Sequence, residues 1–158
     1  MSYKLSSGSL LNLQGVHPLL VSVVQTAIKL TATDFGVIQG VRTLAEQLEL
    51  FEKGASKTMK SFHLLQDDGF GHAVDLMAYI GSRSSWEMSL YDDLADAMKE
   101  SALEHGAHIR WGGAWTVDNI AQWDGTMQEA MDSYIDRRRS QSRRPFIDGP
   151  HFELRSIP

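Results

Sequence analysis

Between residues 16 and 32 the apolar positions recur three and four apart. Leu20, Val23, Val24, Ala27 and Ile28 share one face and Pro18 suits a first turn, so the spacing predicts a helix. Residues 35–42 are β-branched with glycine interruptions and predict a strand. Thr43 is placed to cap a helix over 44–53, Glu46 completing a capping box and Gly54 stopping it. Residues 55–71 predict a loop and 72–80 a buried strand. From Ser85 to Gly106, Trp86, Leu90, Leu94, Ala97, Met98 and Leu103 line one side of a second amphipathic helix. Residues 108–111 form a short strand halted by Gly112-Gly113, 119–139 a third helix, and 152–157 a closing strand. Without repeat, low-complexity tract or linker, the pattern is that of one α+β domain over 1–158. A small, largely antiparallel sheet is packed with helices.

Composition narrows the chemistry more than the fold. A net charge of −5 and a pI near 5.6 lack the basic footprint of a nucleic-acid binder. The chain has no cysteine, so disulfides and thiolate ligation are excluded and a metal must be held by His, Asp, Glu or backbone oxygen. The apolar stretch 18–30 is interrupted by Ser22, Gln25, Thr26 and Lys29, too short and polar to span a bilayer. The first residues lack a basic region feeding an apolar core, so the expectation is synthesis in the cytoplasm, without membrane insertion.

Three segments carry reactive groups: Ser61-Phe62-His63, Gly71-His72-Ala73-Val74-Asp75, and Asp148-Gly149-Pro150-His151-Phe152-Glu153. Zinc-dependent amide hydrolysis needs three protein ligands and a base beside the attacking water, and these segments hold that inventory. Asp75 lies in an apolar strand, where an unpaired carboxylate is costly and a salt bridge or a metal is the usual remedy. Gly149-Pro150 forces a turn that can aim Asp148 and His151 the same way. His72 is a rival ligand to His63. Positions three apart in a strand point to opposite faces, however, so His72 and Asp75 should not share a metal. His17, His105 and His108 have no carboxylate at metal spacing and suit surface or helix-end roles.

Ser-x-His, Gly-x-Ala-x-Asp-Leu, Trp111-Gly-Gly-x-Trp115 and Asp-x-x-His-Phe-Glu, in that order, resemble the zinc peptidases that cut bacterial cell-wall peptides. These are the D-alanyl-D-alanine carboxypeptidases and dipeptidases (VanY-like) and the L-alanyl-D-glutamate endopeptidases of phage endolysins. The run Gly40-Val-Arg42-Thr-Leu-Ala-Glu-Gln47, followed by Gly54-Ala-Ser56-Lys-Thr58, resembles the segment these enzymes carry upstream. The likeness runs from about residue 38 to the end. It implies a zinc site in a cleft on the sheet, with His63, Asp75 and His151 as ligands, Asp148 as general base and Arg42 compensating an oxyanion or a substrate carboxylate. Ser61 would orient site or substrate and Trp111 line the cleft. It further implies a monomeric phage lysis enzyme with no separate cell-wall-binding domain, cleaving stem peptides at the L-alanyl-D-glutamate bond after membrane permeabilisation. A D-alanyl-D-alanine carboxypeptidase and a non-catalytic wall-binding protein are the alternatives.

One spacing departs from the family: His63 and Asp75 are twelve apart rather than seven. A loop insertion of this size adds little closure entropy and is placed to cover the cleft. Its Asp67-Asp68-Gly69 reads either as a turn or as a site for a hard cation such as calcium. Arg137-Arg138-Arg139 with Arg143-Arg144 reads either as a solvated helix end or as an attractor of anionic envelope polymers. Trp123, Met127, Ala130, Met131, Tyr134 and Ile135 read as a packing face placed to wall the groove. Glu153 reads as support for His151 or as an outward strand residue.

Overall fold

The computed structural model describes residues 2–56 and 58–156, Ser156 through its backbone alone. Ile157, the expected end of the last strand, lies outside them. A short helix α1 (Ser7–Asn12), of which the hydrophobic pattern gives no sign, precedes α2 (Pro18–Leu30), whose first turn is capped by the His17 imidazole. The expected apolar face of α2 is buried throughout. Strand β1 (Asp34–Gln39) ends three residues earlier than its pattern suggests, at a bulge between Val37 and Gln39. Helix α3 (Leu44–Glu52) begins at the expected Thr43–Glu46 capping box.

Strand β2 (Ala73–Ile80) turns through Gly81 into β3 (Arg83–Ser85), a short strand the serine-rich sequence does not signal. Helix α4 (Met88–His105) therefore starts three residues later than expected, and left-handed Gly106 ends it. After β4 (His108–Trp111), the expected long third helix is broken. A 3-10 turn, Ile120–Gln122, is separated from α5 (Met127–Ser140) by Gly125 at φ 136°. A fresh Thr126–Glu129 capping box restarts the helix there. Strand β5 (His151–Ser156) closes the sheet.

All strand pairs are antiparallel, in the order β1-β2-β5-β4, with β3 on the far end of β2. Alternation along the strands separates two faces. Val74, Leu76 and Ala78 of β2, Phe152 and Leu154 of β5, and Ile109 and Trp111 of β4 join the hydrophobic core with α2 and α4. Each is fully buried. The opposite parity carries Asp75, His151, Glu153 and Arg110 on the other face. Among the described residues no helix is long and apolar enough to cross a membrane.

Candidate active site and metal centre

Register assembles the site. Asp75 of β2 lies directly across from His151 of β5, and Gln39 of β1 pairs with Asp75 on its other side. One β5 step along the same face, Glu153 pairs with Ala73 and, from β4, with Arg110. His63 comes from the loop before β2. The Ser61 hydroxyl accepts from the His63 N–H (3.1 Å), and the His63 carbonyl accepts from the Arg42 N–H (2.9 Å), which aims the ring at Asp75.

Both imidazoles have one nitrogen tied down. His63 Nδ1 lies 2.8 Å from the Gly40 carbonyl, and His151 Nε2 lies 2.8 Å from Glu153 Oε1. A carbonyl and a carboxylate only accept, so those nitrogens carry the protons. The remaining nitrogens, His63 Nε2 and His151 Nδ1, face Asp75 Oδ1 at 3.2 and 3.4 Å. Three candidate metal ligands thus converge, all within 4.8 Å of one another, an arrangement compatible with a metal ion between them. His63 and His151 are buried, and no sulfur donor is present. The set fits a borderline ion such as zinc.

With no metal bound, a proton on His151 Nδ1 takes part of this place. Burial works against charge on Asp75, yet the bonds from His151 and His63 hold its carboxyl well below the ordinary carboxylate range. Burial also opposes charge on His151, but the Asp75 and Glu153 bonds overcome this and push the imidazole up to about 9. Asp148 goes the other way, raised by burial and then by the charge of Asp75. Its carboxylate lines the cleft and makes no hydrogen bond or ion pair among the described residues. Glu153 stays ionised despite burial because His151, Arg110 and Arg155 surround it.

Arg42 is buried and held as a fixed charge. Nη1 donates to Gln47 and Nη2 to Gln39, each at 2.6 Å, with Nη2 3.7 Å from Asp75 Oδ2. Burial lowers its pKa, with Asp75 opposing. Gln47, itself fully buried, donates onward to Ser56 Oγ and the Thr58 carbonyl. The upstream motif is therefore one network from α3 to the cleft rim.

The sequence profile of the phage L-alanyl-D-glutamate peptidase family matches residues 1–155. The chain belongs to this family. It is similar to the L-alanyl-D-glutamate peptidase of Escherichia phage T5, 28% identical over 98% of this chain and 99% of that protein. The crystal structure of the Serratia marcescens L-Ala D-Glu endopeptidase ChiX superposes with a TM-score of 0.71 at 32% identity, covering 98% of this chain and 91% of that one. The family match reaches α1 and α2, ahead of the motifs that signal it in sequence.

Several expected positions fall elsewhere in this peptidase. Trp111 does not line the cleft. It shares the core-facing parity of Ile109, is fully buried, and donates from Nε1 to the Gly149 carbonyl at 2.7 Å. Gly112 accepts from Asp148 N–H and donates to the His151 carbonyl, both at 2.8 Å, and a Cβ there would collide with the Asp148 carbonyl. Trp-Gly-Gly is thus a scaffold for the turn that carries Asp148 and His151. Trp115 of the same motif is the cleft residue, stacked on Phe146 and tilted over His151.

His72 is outside the donor group, bonded to Asp68 Oδ2 at 2.7 Å. The inserted loop does not cover the cleft. It is a small hairpin whose base, Gly71, bonds Gly15 and His17. Asp68 Oδ1 caps the Phe70 N–H and Oδ2 takes His72, so the turn reading holds and nothing supports calcium there. His108 and His17 do meet carboxylates, Asp118 at 2.8 Å and Asp68 at 3.9 Å. The apolar face of α5 packs into the core, and Phe146 beyond it reaches the cleft. Glu153 is inward and buried rather than outward.

Proposed function

We propose that this peptidase is zinc-dependent and hydrolyses the L-alanyl-D-glutamate bond of peptidoglycan stem peptides, acting on the cell wall as a phage lysis enzyme. The observation that carries the metal assignment is the convergence of His63 Nε2, Asp75 Oδ1 and His151 Nδ1, with both outer ring nitrogens pinned. Zinc held there supplies Lewis acidity to the scissile carbonyl and the attacking water.

The chain's own groups do the rest. Asp148, raised in pKa and unpaired at the cleft wall, takes the water proton and delivers it to the departing amine. Arg42, immobilised by Gln39 and Gln47, offers its charge where negative charge develops, without reorganising. Ser61 holds the His63 turn, and Trp115 with Phe146 shields one side of the cleft from water.

Digestion of purified walls followed by mass spectrometry of the muropeptides tests the bond assignment. Products ending in L-alanine with new D-glutamyl amino termini are expected, whereas release of free terminal D-alanine alone would make it a carboxypeptidase. In the same assay Asp148→Asn should keep stoichiometric zinc and lower kcat about 10²- to 10⁴-fold.

A further inference from the structure

The cleft, about 660 Å³, extends beyond the donor group, and the cations along it differ in how they are satisfied. Arg42 is held by two glutamines beside Asp75, at the donor group itself. Arg110 pairs with Glu153 at 3.1 Å and lies over the Trp115 ring. Arg155 gives Nη1 to Glu153 at 3.2 Å, has Nε 3.7 Å from Asp118 Oδ1, stacks over Phe62, and keeps its side chain about 30% exposed, with Nη2 in no ion pair among the described residues. Lys60, two residues before Phe62, is exposed, and its ammonium has no ion pair among the described residues. Lys60, Phe62 and Arg155 all line the cleft. The carboxylate nearest to Arg155, Glu153, is itself saturated by His151, Arg110 and Arg155.

We propose that Lys60 and Arg155 form a carboxylate-binding subsite for the D-glutamate on the leaving side of the scissile bond. This deepens, and rests on, the L-alanyl-D-glutamate reading above. In that substrate the glutamate is linked onward through its γ-carboxyl, so its α-carboxylate remains free beside the bond that breaks. The alanine on the acyl side brings no charge. A cleft wall with an ammonium in no protein ion pair among the described residues and a guanidinium held by Glu153 and Asp118 with Nη2 to spare therefore distinguishes the two directions in which the peptide could lie. His151, Glu153 and Arg155 alternate along the same face of β5, so the subsite runs outward from the metal donors along one strand. The stacking on Phe62 limits the freedom of Arg155, reducing what is lost when it binds an anion. Lys60 supplies a more mobile charge from the lining of the same cleft.

The test compares two synthetic substrates with zinc-loaded enzyme: N-acetyl-L-alanyl-γ-D-glutamyl-L-lysine and its D-isoglutamine counterpart, in which the α-carboxylate is an amide. Wild type should prefer the acid by about 10- to 100-fold in kcat/KM, mostly through KM. Lys60→Met and Arg155→Gln should each pull that ratio toward one, and the double variant furthest, while Lys60→Arg retains it. Because Arg155 also pairs with Glu153 and Asp118, Lys60→Met serves as the variant with no ion pair among the described residues to disturb. Equal cleavage of both peptides by wild type, or variants that slow both in the same proportion, would overturn the subsite while leaving the bond assignment standing. Cleavage of neither peptide by wild type would sink the bond assignment and the subsite together.

Discussion

The two faces of the central sheet are built from the same strands by alternate residues, yet they obey different rules. On the helix-covered face Val74, Leu76, Phe152 and Leu154 are fully buried and wholly apolar, and what matters there is volume. On the cleft face Asp75, His151, Glu153 and Arg110 are joined by hydrogen bonds and ion pairs, and what matters there is the count of donors and acceptors. Neighbouring residues in sequence therefore serve separate ends. Stability and chemistry are divided by a single step along the chain.

The sharpest way to break this comparison is to substitute the adjacent pair. His151→Ala should abolish zinc binding and hydrolysis while the chain stays folded, because it opens one corner of the donor group without touching the core. Phe152→Ala should cost about 3–5 kcal/mol of folding stability by removing a core ring. Zinc stoichiometry and denaturant melts of both variants check this, and a His151→Ala protein that binds zinc normally would refute the donor assignment.

A smaller effect is expected one layer out. Glu153→Gln keeps the shape but replaces a carboxylate by an amide, so His151 loses the partner that fixes its tautomer. Zinc affinity should fall about 10- to 100-fold. Competition with a chromogenic chelator measures it.

Acid should weaken zinc binding by about a tenfold step per pH unit below pH 9, levelling off above, because the metal must displace the His151 Nδ1 proton. In the metal-free protein the sign is reversed. A histidine raised from 6.5 to about 9 stabilises the fold fully below pH 6.5, and that contribution is lost as pH rises through 9. Melts of the metal-free and zinc-loaded forms across pH 6–10 should therefore diverge, and parallel curves would contradict the pairing of His151 with Asp75 and Glu153. The smallest effect belongs to His72→Ala, which should leave zinc stoichiometry and rate unchanged and shift stability by about 1 kcal/mol or less.

Local chemistry was readable in the sequence where it is self-contained. The Thr43–Glu46 box, the apolar face of α2 and the turn at Gly149-Pro150 each depend on residues a few positions apart. For the same reason the motifs nominate His63, Asp75 and His151 as candidate ligands, but not their geometry. That Asp75 sits opposite His151 is a property of pairing between strands 76 residues apart, which no local pattern encodes. The motif alone does not separate Trp111 from Trp115, because it contains both tryptophans. Parity with Ile109 assigns Trp111 to the core, leaving Trp115 for the cleft. The inserted loop looked like a lid because its length was visible and its anchor at Gly15 and His17 was not. Strand β3 and helix α1 are too short to build a periodic signal.

The β2–β5 pairing also sets an order of events in time. Hairpins such as β2–β3 close over a few residues, whereas Asp75 meets His151 only when a loop of 76 residues has closed. Until then the two candidate ligands stay apart, so a chain that has formed only its helices should lack the proposed metal site and its activity. Zinc uptake should then report the last stage of folding rather than the first.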